Sequence, residues 1–159
     1  MLRKKNTILI VDEHPSVRSG LSALIETVPD MDVIGDAYDC SSAVHAANRL
    51  KPDVIILDMM SASRNGIGIV RELRRASPHS QILILTDYDS SDQVLDIIQA
   101  GVRGYLLKDP LSADIASAIR NILNGKVIIH RDIARSLTNK SERPAKQSSN
   151  SIPEFVQFP

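Results

Sequence analysis

Five short aliphatic runs recur along the chain, and each has the length and composition of a buried β-strand. Their starts lie roughly two dozen residues apart, which leaves room for a helix between each pair of parallel strands. The runs are TILIV (7–11), DVIGDA (32–37), VIIL (54–57), QILIL (81–85) and GYLL (104–107). This pattern predicts a strand at each of these positions.

The segments between the runs place apolar residues three and four positions apart, which is the spacing of an amphipathic helix. Residues that start and stop helices agree with this assignment. Pro15 suits a first turn, Asn65 and Ser112 can cap N-termini, and Gly101 and Gly125 stand where helices should end. The alternation of strands and helices predicts an α/β fold with a doubly wound parallel sheet and helices on both faces.

The predicted α/β domain occupies residues 1–125. Residues 126–140 form the segment KVIIHRDIARSLTNK, for which we expect a short extension, with an extended piece followed by one more helix. The segment 141–159 is rich in Ser, Pro and other polar residues, and this composition predicts a linker or disordered tail. We therefore expect no DNA-binding domain within the chain.

Composition and charge exclude several classes of protein. Lys plus Arg number 19, as do Asp plus Glu, so the chain has no excess positive charge with which to bind nucleic acid or an acidic membrane. The single cysteine, Cys40, rules out a disulfide within the chain. No stretch approaches the ~18 apolar residues of a membrane span, and the N-terminus lacks the apolar run of a signal peptide. We therefore expect a cytoplasmic protein.

Polar residues follow four of the five predicted strands. ILIV leads into Asp12 and Glu13, VIIL into Asp58, ILIL into Thr86 and GYLL into Lys108. In an open parallel sheet the carboxyl ends of the strands share one edge, and ligands bind there. One Asp at such a position would be weak evidence for a site. Carboxylates, a hydroxyl group and an amine from four strands together predict one.

This combination of side chains suits phosphoryl transfer. Clustered carboxylates bind a hard divalent cation, and Mg²⁺ prefers carboxylate oxygens completed by water and phosphate. A lysine and a hydroxyl group can then bind phosphoryl oxygens. A carboxylate can itself be the nucleophile and form an aspartyl phosphate. The site is therefore predicted to transfer a phosphoryl group to an Asp, with Mg²⁺ as cofactor.

The chain resembles the receiver domain of a two-component response regulator over residues 7–125, through ILIVDEHP, VIILD, ILILTD and GYLLKD. The segments DEHPSVRSGL and AGVRGYLLKD resemble the corresponding segments of the NarL/FixJ-like branch. Members of that branch usually carry a LuxR-type helix-turn-helix after the receiver. The resemblance implies a flavodoxin-like sheet of five strands in the order 2-1-3-4-5. It also implies a signalling protein rather than a turnover enzyme.

The resemblance assigns the phosphorylation chemistry to particular residues. Asp58 would accept the phosphoryl group from a sensor histidine kinase. Asp12 and Glu13 would hold Mg²⁺, together with the Asp58 carboxylate and the backbone carbonyl of Met60. DNA would be bound only by a C-terminal helix-turn-helix that this sequence does not include, and transcription would be the regulated output.

The resemblance also implies a conformational switch. Thr86 would bond the new phosphoryl oxygen, Lys108 would pair with the phosphoryl group, and the ring of Tyr105 would turn inward once Thr86 moves. The surface formed by the fourth helix, the fifth strand and the fifth helix would then shift. We expect the output to be altered self-association, with a homodimer formed on phosphorylation.

Two positions depart from the usual receiver pattern. Receivers commonly have a proline four residues beyond the phosphorylated Asp, and Ala62 stands there, so we expect a less rigid loop. Asp87 follows Thr86, where a small or apolar residue is usual. At about 4 Å and an effective dielectric near 20, its repulsion of a phosphoryl group would reach about 4 kcal/mol. The orientation of Asp87 therefore decides its effect on phosphate retention.

Three other functions fit parts of the pattern. A haloacid-dehalogenase-like phosphatase would also use a nucleophilic Asp, but it needs a second Asp at the position of Met60. A flavin-binding module would need a Ser/Thr-rich phosphate loop after the first strand, where DEHPS offers carboxylates instead. An atypical receiver that signals without phosphorylation is disfavoured, because all five central residues are present.

Overall fold

The structure is a computed structural model that describes residues 4–59, 65–87, 91–108, 115–141 and 155–158. These residues form one parallel sheet of seven strands in the order β2-β1-β3-β4-β5-β6-β7. The strands are β1 (Asn6–Val11), β2 (Met31–Ala37), β3 (Val54–Asp58), β4 (Gln81–Thr86), β5 (Gly104–Leu107), β6 (Val127–His130) and β7 (Phe155–Phe158).

Helices cover both faces of this sheet. They are α1 (Pro15–Glu26), α2 (Cys40–Leu50), α3 (Gly66–Ala76), α4 (Ser91–Gln99), α5 (Ile115–Leu123) and α6 (Arg131–Ser141). One buried cluster joins α1 and α5 to one face of the sheet, and a second joins α2, α3, α4 and α6 to the other. Alternate residues of the central strands enter different clusters, as Ile8 and Leu9 of β1 do, so the strands are apolar on both faces.

The sheet confirms the predicted α/β class and the order of the first five strands, but the prediction of five strands is wrong. The strand β6 pairs in parallel with the outer edge of β5 and aligns Ile128 with Gly104 and Ile129 with Tyr105. Both isoleucines are buried, as is Ile133 of the following helix α6. The sequence predicted an extended piece here, but three consecutive apolar residues are too short a signal to show that it joins the sheet as a sixth strand.

The described residues beyond 125 add two strands and a helix to the fold. The extended piece and the helix expected in 126–140 are present as the strand β6 and the helix α6. Within 141–159, where we expected a linker or disordered tail, the strand β7 pairs with β6 along its whole length. The apolar residues of FVQF are a short run within a polar segment, and the composition of the whole segment conceals them. The domain boundaries themselves stay a prediction.

Strand register brings the polar residues to one edge. The pairing of β1 with β3 aligns Val11 with Leu57, so Asp12 and Asp58 each lie one residue beyond an aligned pair. Backbone hydrogen bonds continue past the strand ends, because the N–H of Asp12 donates to the carbonyl of Ala37 at 3.0 Å. The N–H of Lys108 donates to the carbonyl of Thr86 at 2.7 Å. These bonds fix the backbone from which the side chains project.

Within the described ranges, each helix is too short or too polar to serve as a membrane span.

Candidate functional site

Two buried carboxylates and one ammonium group meet at the carboxyl edge of the sheet. The side chains of Asp12 and Asp58 are each only 1% exposed. Lys108 places its Nζ 2.6 Å from Oδ2 of Asp12 and 3.0 Å from Oδ1 of Asp58. The predicted convergence of these three residues is therefore present in the structure.

The order of the strands explains why a lysine fills this position. Asp12 follows β1 and Asp58 ends β3, and these strands are neighbours, so both carboxylates share one short stretch of the edge. Lys108 follows β5, which is separated from β3 by β4. Its four-carbon side chain is long enough to extend past the end of β4 and deliver a compact positive charge between the two carboxylates.

The charges of this site stabilise one another. Burial alone would raise the pKa of Asp12, but the hydrogen bonds from Lys108 and from the backbone of His14, and the charge of Lys108, hold that pKa below its usual value of 3.8. Burial alone would lower the pKa of Lys108, yet its hydrogen bonds to Asp12 and Asp58 raise that pKa above 10.5. Asp12 is thus charged, and Lys108 protonated, at neutral pH.

Thr86 and Tyr105 lie at different depths. Thr86 is the last residue of β4, is buried, and lies between the strands that carry Asp58 and Lys108. Tyr105 lies within β5 and is also buried. It belongs to the cluster that includes Ile133 of α6, so its ring packs within the core rather than in solvent. Both roles in a switch stay predictions.

Glu13 and His14 differ from what the sequence suggested. The Glu13 side chain is 54% exposed, and its Oε1 lies 3.9 Å from Nε2 of His14. The other ring nitrogen of His14, Nδ1, lies 3.1 Å from Oδ1 of Asp12. Among the described residues, a group with ligand atoms within 4.8 Å of one another comprises Asp12, His14 and Asp58. Its place shortly after Asp12 and directly before a helix-starting proline is the signal in the sequence that His14 lies beside the site.

Arg18 is a second residue that sequence reasoning missed. Its Nη1 donates to the backbone carbonyl of Asp12 at 2.6 Å, and its Nε donates to Oδ2 of Asp36 at 2.9 Å. These bonds attach the first turns of α1 to the end of β1. The position of Arg18 in the sequence is what an exposed helix residue would also have. Its bonds to Asp12 and Asp36 are therefore seen only in the structure.

The remaining predicted positions are Asp87, Met60 and Ala62. Asp87 is exposed, which places its charge towards water and reduces its repulsion of a group bound at Asp58. Met60 and Ala62 lie outside the described residues. Their expected effects, a carbonyl ligand and a less rigid loop, therefore stay predictions.

The donor set fits a hard divalent cation. Two buried carboxylates offer oxygen atoms at one edge of the sheet, and Mg²⁺ binds through one or two carboxylates while water and phosphate complete its coordination. Asp12 directs Oδ2 to Lys108 and Oδ1 to His14, so its two oxygens face different neighbours. An ion that binds Oδ1 of Asp12, on the His14 side, would therefore not compete with the ammonium group for that oxygen.

Comparison with known proteins agrees with this geometry. The family model described as the response regulator receiver domain matches residues 8–120. The chain is 36% identical over 133 residues to the transcriptional regulatory protein LiaR of Bacillus subtilis, which covers 84% of this chain and 63% of LiaR. It is 36% identical over 145 residues to the nitrate/nitrite response regulator protein NarP of Escherichia coli, which covers 91% of this chain and 67% of NarP.

The fold is similar to that of solved receivers. A two-component response regulator of the LuxR family from Aurantimonas superposes with a TM-score of 0.79 at 30% identity, covering 88% of this chain and 100% of that one. The receiver domain of a response regulator NarL from Mycobacterium tuberculosis superposes with a TM-score of 0.71 at 25% identity, covering 78% and 100%. The chain therefore spans all of these solved chains but about two thirds of its curated relatives.

Replacing Lys108 with Met tests the charge balance. The variant leaves Asp12 and Asp58 buried side by side without a cation, so we expect the free energy of unfolding at pH 7 to fall by about 3 kcal/mol. In the wild type, the lowered pKa of Asp12 gives stability that is present above pH 3.8 and is lost as the pH falls further. In the variant the carboxylates share a proton more readily, so lowering the pH from 7 to about 5 should restore stability.

Urea unfolding at both pH values measures this difference, and Lys126→Met is the matched control because Lys126 is exposed. The charge balance would be contradicted if both variants lost the same free energy of unfolding. It would also be contradicted if the loss in Lys108→Met did not become smaller at lower pH.

Proposed function

Because the chain belongs to the response regulator receiver family, we propose that Asp58 accepts a phosphoryl group from a sensor histidine kinase. A carboxylate oxygen of Asp58 attacks the phosphorus, the bond from phosphorus to the kinase histidine breaks, and the imidazole leaves with the electron pair. The observation that carries this proposal is the position of Asp58 at the end of β3, 3.0 Å from the Nζ of Lys108.

Mg²⁺ is the cofactor that this site fits. We propose that the carboxylates of Asp12 and Asp58 hold it, with the exposed Glu13 reaching it through water and with the Met60 carbonyl as the ligand that the family pattern adds. Held there, the ion would supply positive charge that neutralises the phosphoryl oxygens. Lys108 then has a phosphoryl oxygen as a new partner in place of the carboxylate that the reaction consumes.

Phosphorylation supplies the change of charge that drives a switch. It adds about −1.5 to −2 charge at the end of β3. Thr86 carries a hydroxyl group at the end of β4, the strand next to β3, and bonding a phosphoryl oxygen would draw its loop towards Asp58. A movement there alters the packing of Tyr105, because β4 pairs with β5 and aligns Ile84 with Tyr105.

The strand β6 and the helix α6 cover the β5 side of the sheet and connect Tyr105 with the C-terminal segment. Tyr105 shares its buried cluster with Ile129 of β6 and with Ile133 and Ala134 of α6. The helix α6 also packs against α4. We therefore propose that movement of Thr86 and Tyr105 reaches α6 directly through side-chain packing, and that part of the predicted α4–β5 switch surface is buried beneath the chain itself.

Transcription is the proposed output. The relatives LiaR and NarP are a transcriptional regulatory protein and a nitrate/nitrite response regulator, and each is longer than the matched region. We propose that a helix-turn-helix C-terminal to this chain binds DNA, and that the segment 141–159 leads to it. The neutral balance of 19 basic and 19 acidic residues agrees with a receiver that does not itself bind DNA.

Incubation with Mg²⁺ and acetyl phosphate tests the phosphorylation site. Intact-mass measurement should show a labile adduct of about 80 Da on the wild type, as expected for an aspartyl phosphate, and none on Asp58→Ala. Asp87→Asn is the matched control, because it removes a carboxylate that is close in sequence to Thr86 but exposed. The control should still form the adduct, with a lifetime within about twofold of wild type.

An adduct on Asp58→Ala, or none on the wild type in the presence of Mg²⁺, would contradict the assignment and favour a receiver that signals without phosphorylation. Rapid multiple turnover of acetyl phosphate would instead favour a phosphatase.

Light scattering with and without beryllofluoride tests self-association. With Mg²⁺ present, this phosphoryl mimic should increase the average mass of the wild type from 17.5 kDa towards that of a dimer. Thr86→Ala should bind the mimic and stay monomeric, because the hydroxyl group that responds is missing, whereas Thr27→Ala at an exposed position should behave as wild type. A wild type that binds beryllofluoride without any change in mass would exclude dimerisation as the output.

A further inference from the structure

The carboxylates Asp12 and Asp58 share the candidate metal site with a nitrogen donor. One ligand atom from each of Asp12, His14 and Asp58 lies within 4.8 Å of the other two. The pattern of a receiver assigns the adjacent acid, Glu13, to the metal, but the Glu13 side chain is 54% exposed and lies on the far side of the imidazole ring. The geometry points to His14 as a direct ligand of a divalent transition-metal ion held by Asp12 and Asp58.

The distance between the two donor atoms suits this assignment. Nδ1 of His14 lies 3.1 Å from Oδ1 of Asp12. Two adjacent ligands of an octahedral ion with bonds of about 2.1 Å are about 3.0 Å apart. A metal ion can therefore occupy the place of the proton that the ring and the carboxylate otherwise share, without a large movement of either residue.

The backbone holds the ring in this orientation. His14 is the residue before the first turn of α1, where a side chain often accepts a hydrogen bond from the helix, yet its ring makes no such bond. Instead the backbone N–H of His14 donates to Oδ1 of Asp12 at 2.8 Å, and Pro15 fixes the start of the helix. The ring is thus directed towards the strand end rather than towards the helix.

The two ring nitrogens have the environments expected of a metal-binding histidine. Such a histidine commonly presents its other N–H to a carboxylate, which orients the ring and increases its basicity. In this chain Nδ1 faces Asp12, while Nε2 lies 3.9 Å from Oε1 of Glu13. At this distance Glu13 is near the ring but does not hydrogen-bond to it, so its carboxylate supports the imidazole only by charge and is not a direct ligand of the ion.

The division of the Asp12 oxygens leaves room for this ion. Lys108 binds Oδ2 of Asp12 and Oδ1 of Asp58, while His14 lies beside Oδ1 of Asp12. An ion beside Oδ1 of Asp12 can therefore bind while Lys108 keeps its contact with Oδ2. The ammonium group and the ion would then use different oxygens of the Asp12 carboxylate.

A nitrogen ligand changes which ions the site prefers. Mg²⁺ is a hard cation that takes oxygen ligands, whereas imidazole suits the later divalent ions of the first transition series. Co²⁺ should therefore bind through His14, Asp12 and Asp58, while Mg²⁺ binds through the carboxylates and water alone. This inference rests on the proposed metal site and adds a residue that determines the choice of ion.

Calorimetric titration of the untagged protein with Mg²⁺ and with Co²⁺ tests the inference. His14→Gln should weaken Co²⁺ binding by about tenfold or more and change Mg²⁺ binding by less than about twofold. The visible absorption of bound Co²⁺ should also change in this variant, because a nitrogen ligand is lost. His79→Gln, at an exposed position between α3 and β4, is the matched control and should behave as wild type.

Equal effects of His14→Gln on both ions, or no effect on Co²⁺, would overturn the assignment of His14 and leave the Mg²⁺ site intact. If Asp58→Asn failed to weaken the binding of either ion, the proposed metal site itself would be wrong, together with this inference. The phosphorylation of Asp58 by acetyl phosphate has its own mass readout, so the two failures can be distinguished.

Discussion

The contact of one lysine with two buried carboxylates is the interaction on which the site depends. Asp12 and Asp58 lie side by side because β1 and β3 are neighbours in register, and both are removed from water. Two such charges are unfavourable together unless a cation compensates them. Lys108 supplies that cation from a strand two positions away, and so it ties the ends of β1, β3 and β5 to one another.

The same arrangement allows the carboxyl edge of the sheet to bind further charged groups. A site in which every charge were fully satisfied by protein groups would have little affinity for a metal ion or a phosphoryl group. Here the negative charge of two carboxylates exceeds the single positive charge of Lys108, and an added divalent cation reverses the excess. This excess of negative charge lowers the stability of the folded protein at the place where charged groups are to bind, as is common at functional sites. The extra strand β6 and helix α6 extend the core that Tyr105 joins, which connects this edge to the C-terminal segment.

Sequence patterns predicted the part of this structure that depends on local rules. Aliphatic runs identified the first five strands, and the rule that parallel strands end at one edge brought Asp12, Asp58 and Lys108 together. The strand β6 was expected as an extended piece but not as part of the sheet, because VII is too short a run to show a period, and β7 was missed because FVQF lies in a polar segment. The contacts of His14 and Arg18 depend on how α1 meets the end of β1, which neither spacing nor composition encodes.

A double-mutant cycle tests the central claim, that Asp58 and Lys108 interact within one buried site. The free energies of unfolding of wild type, Asp58→Asn, Lys108→Met and the double variant are measured at pH 7 in metal-free buffer. Residues in direct contact should give a coupling free energy of about 1 kcal/mol or more, and the double variant should be more stable than the sum of the single losses predicts. Losses that add to within about 0.3 kcal/mol would show that the two residues do not share a site, and the account would be wrong.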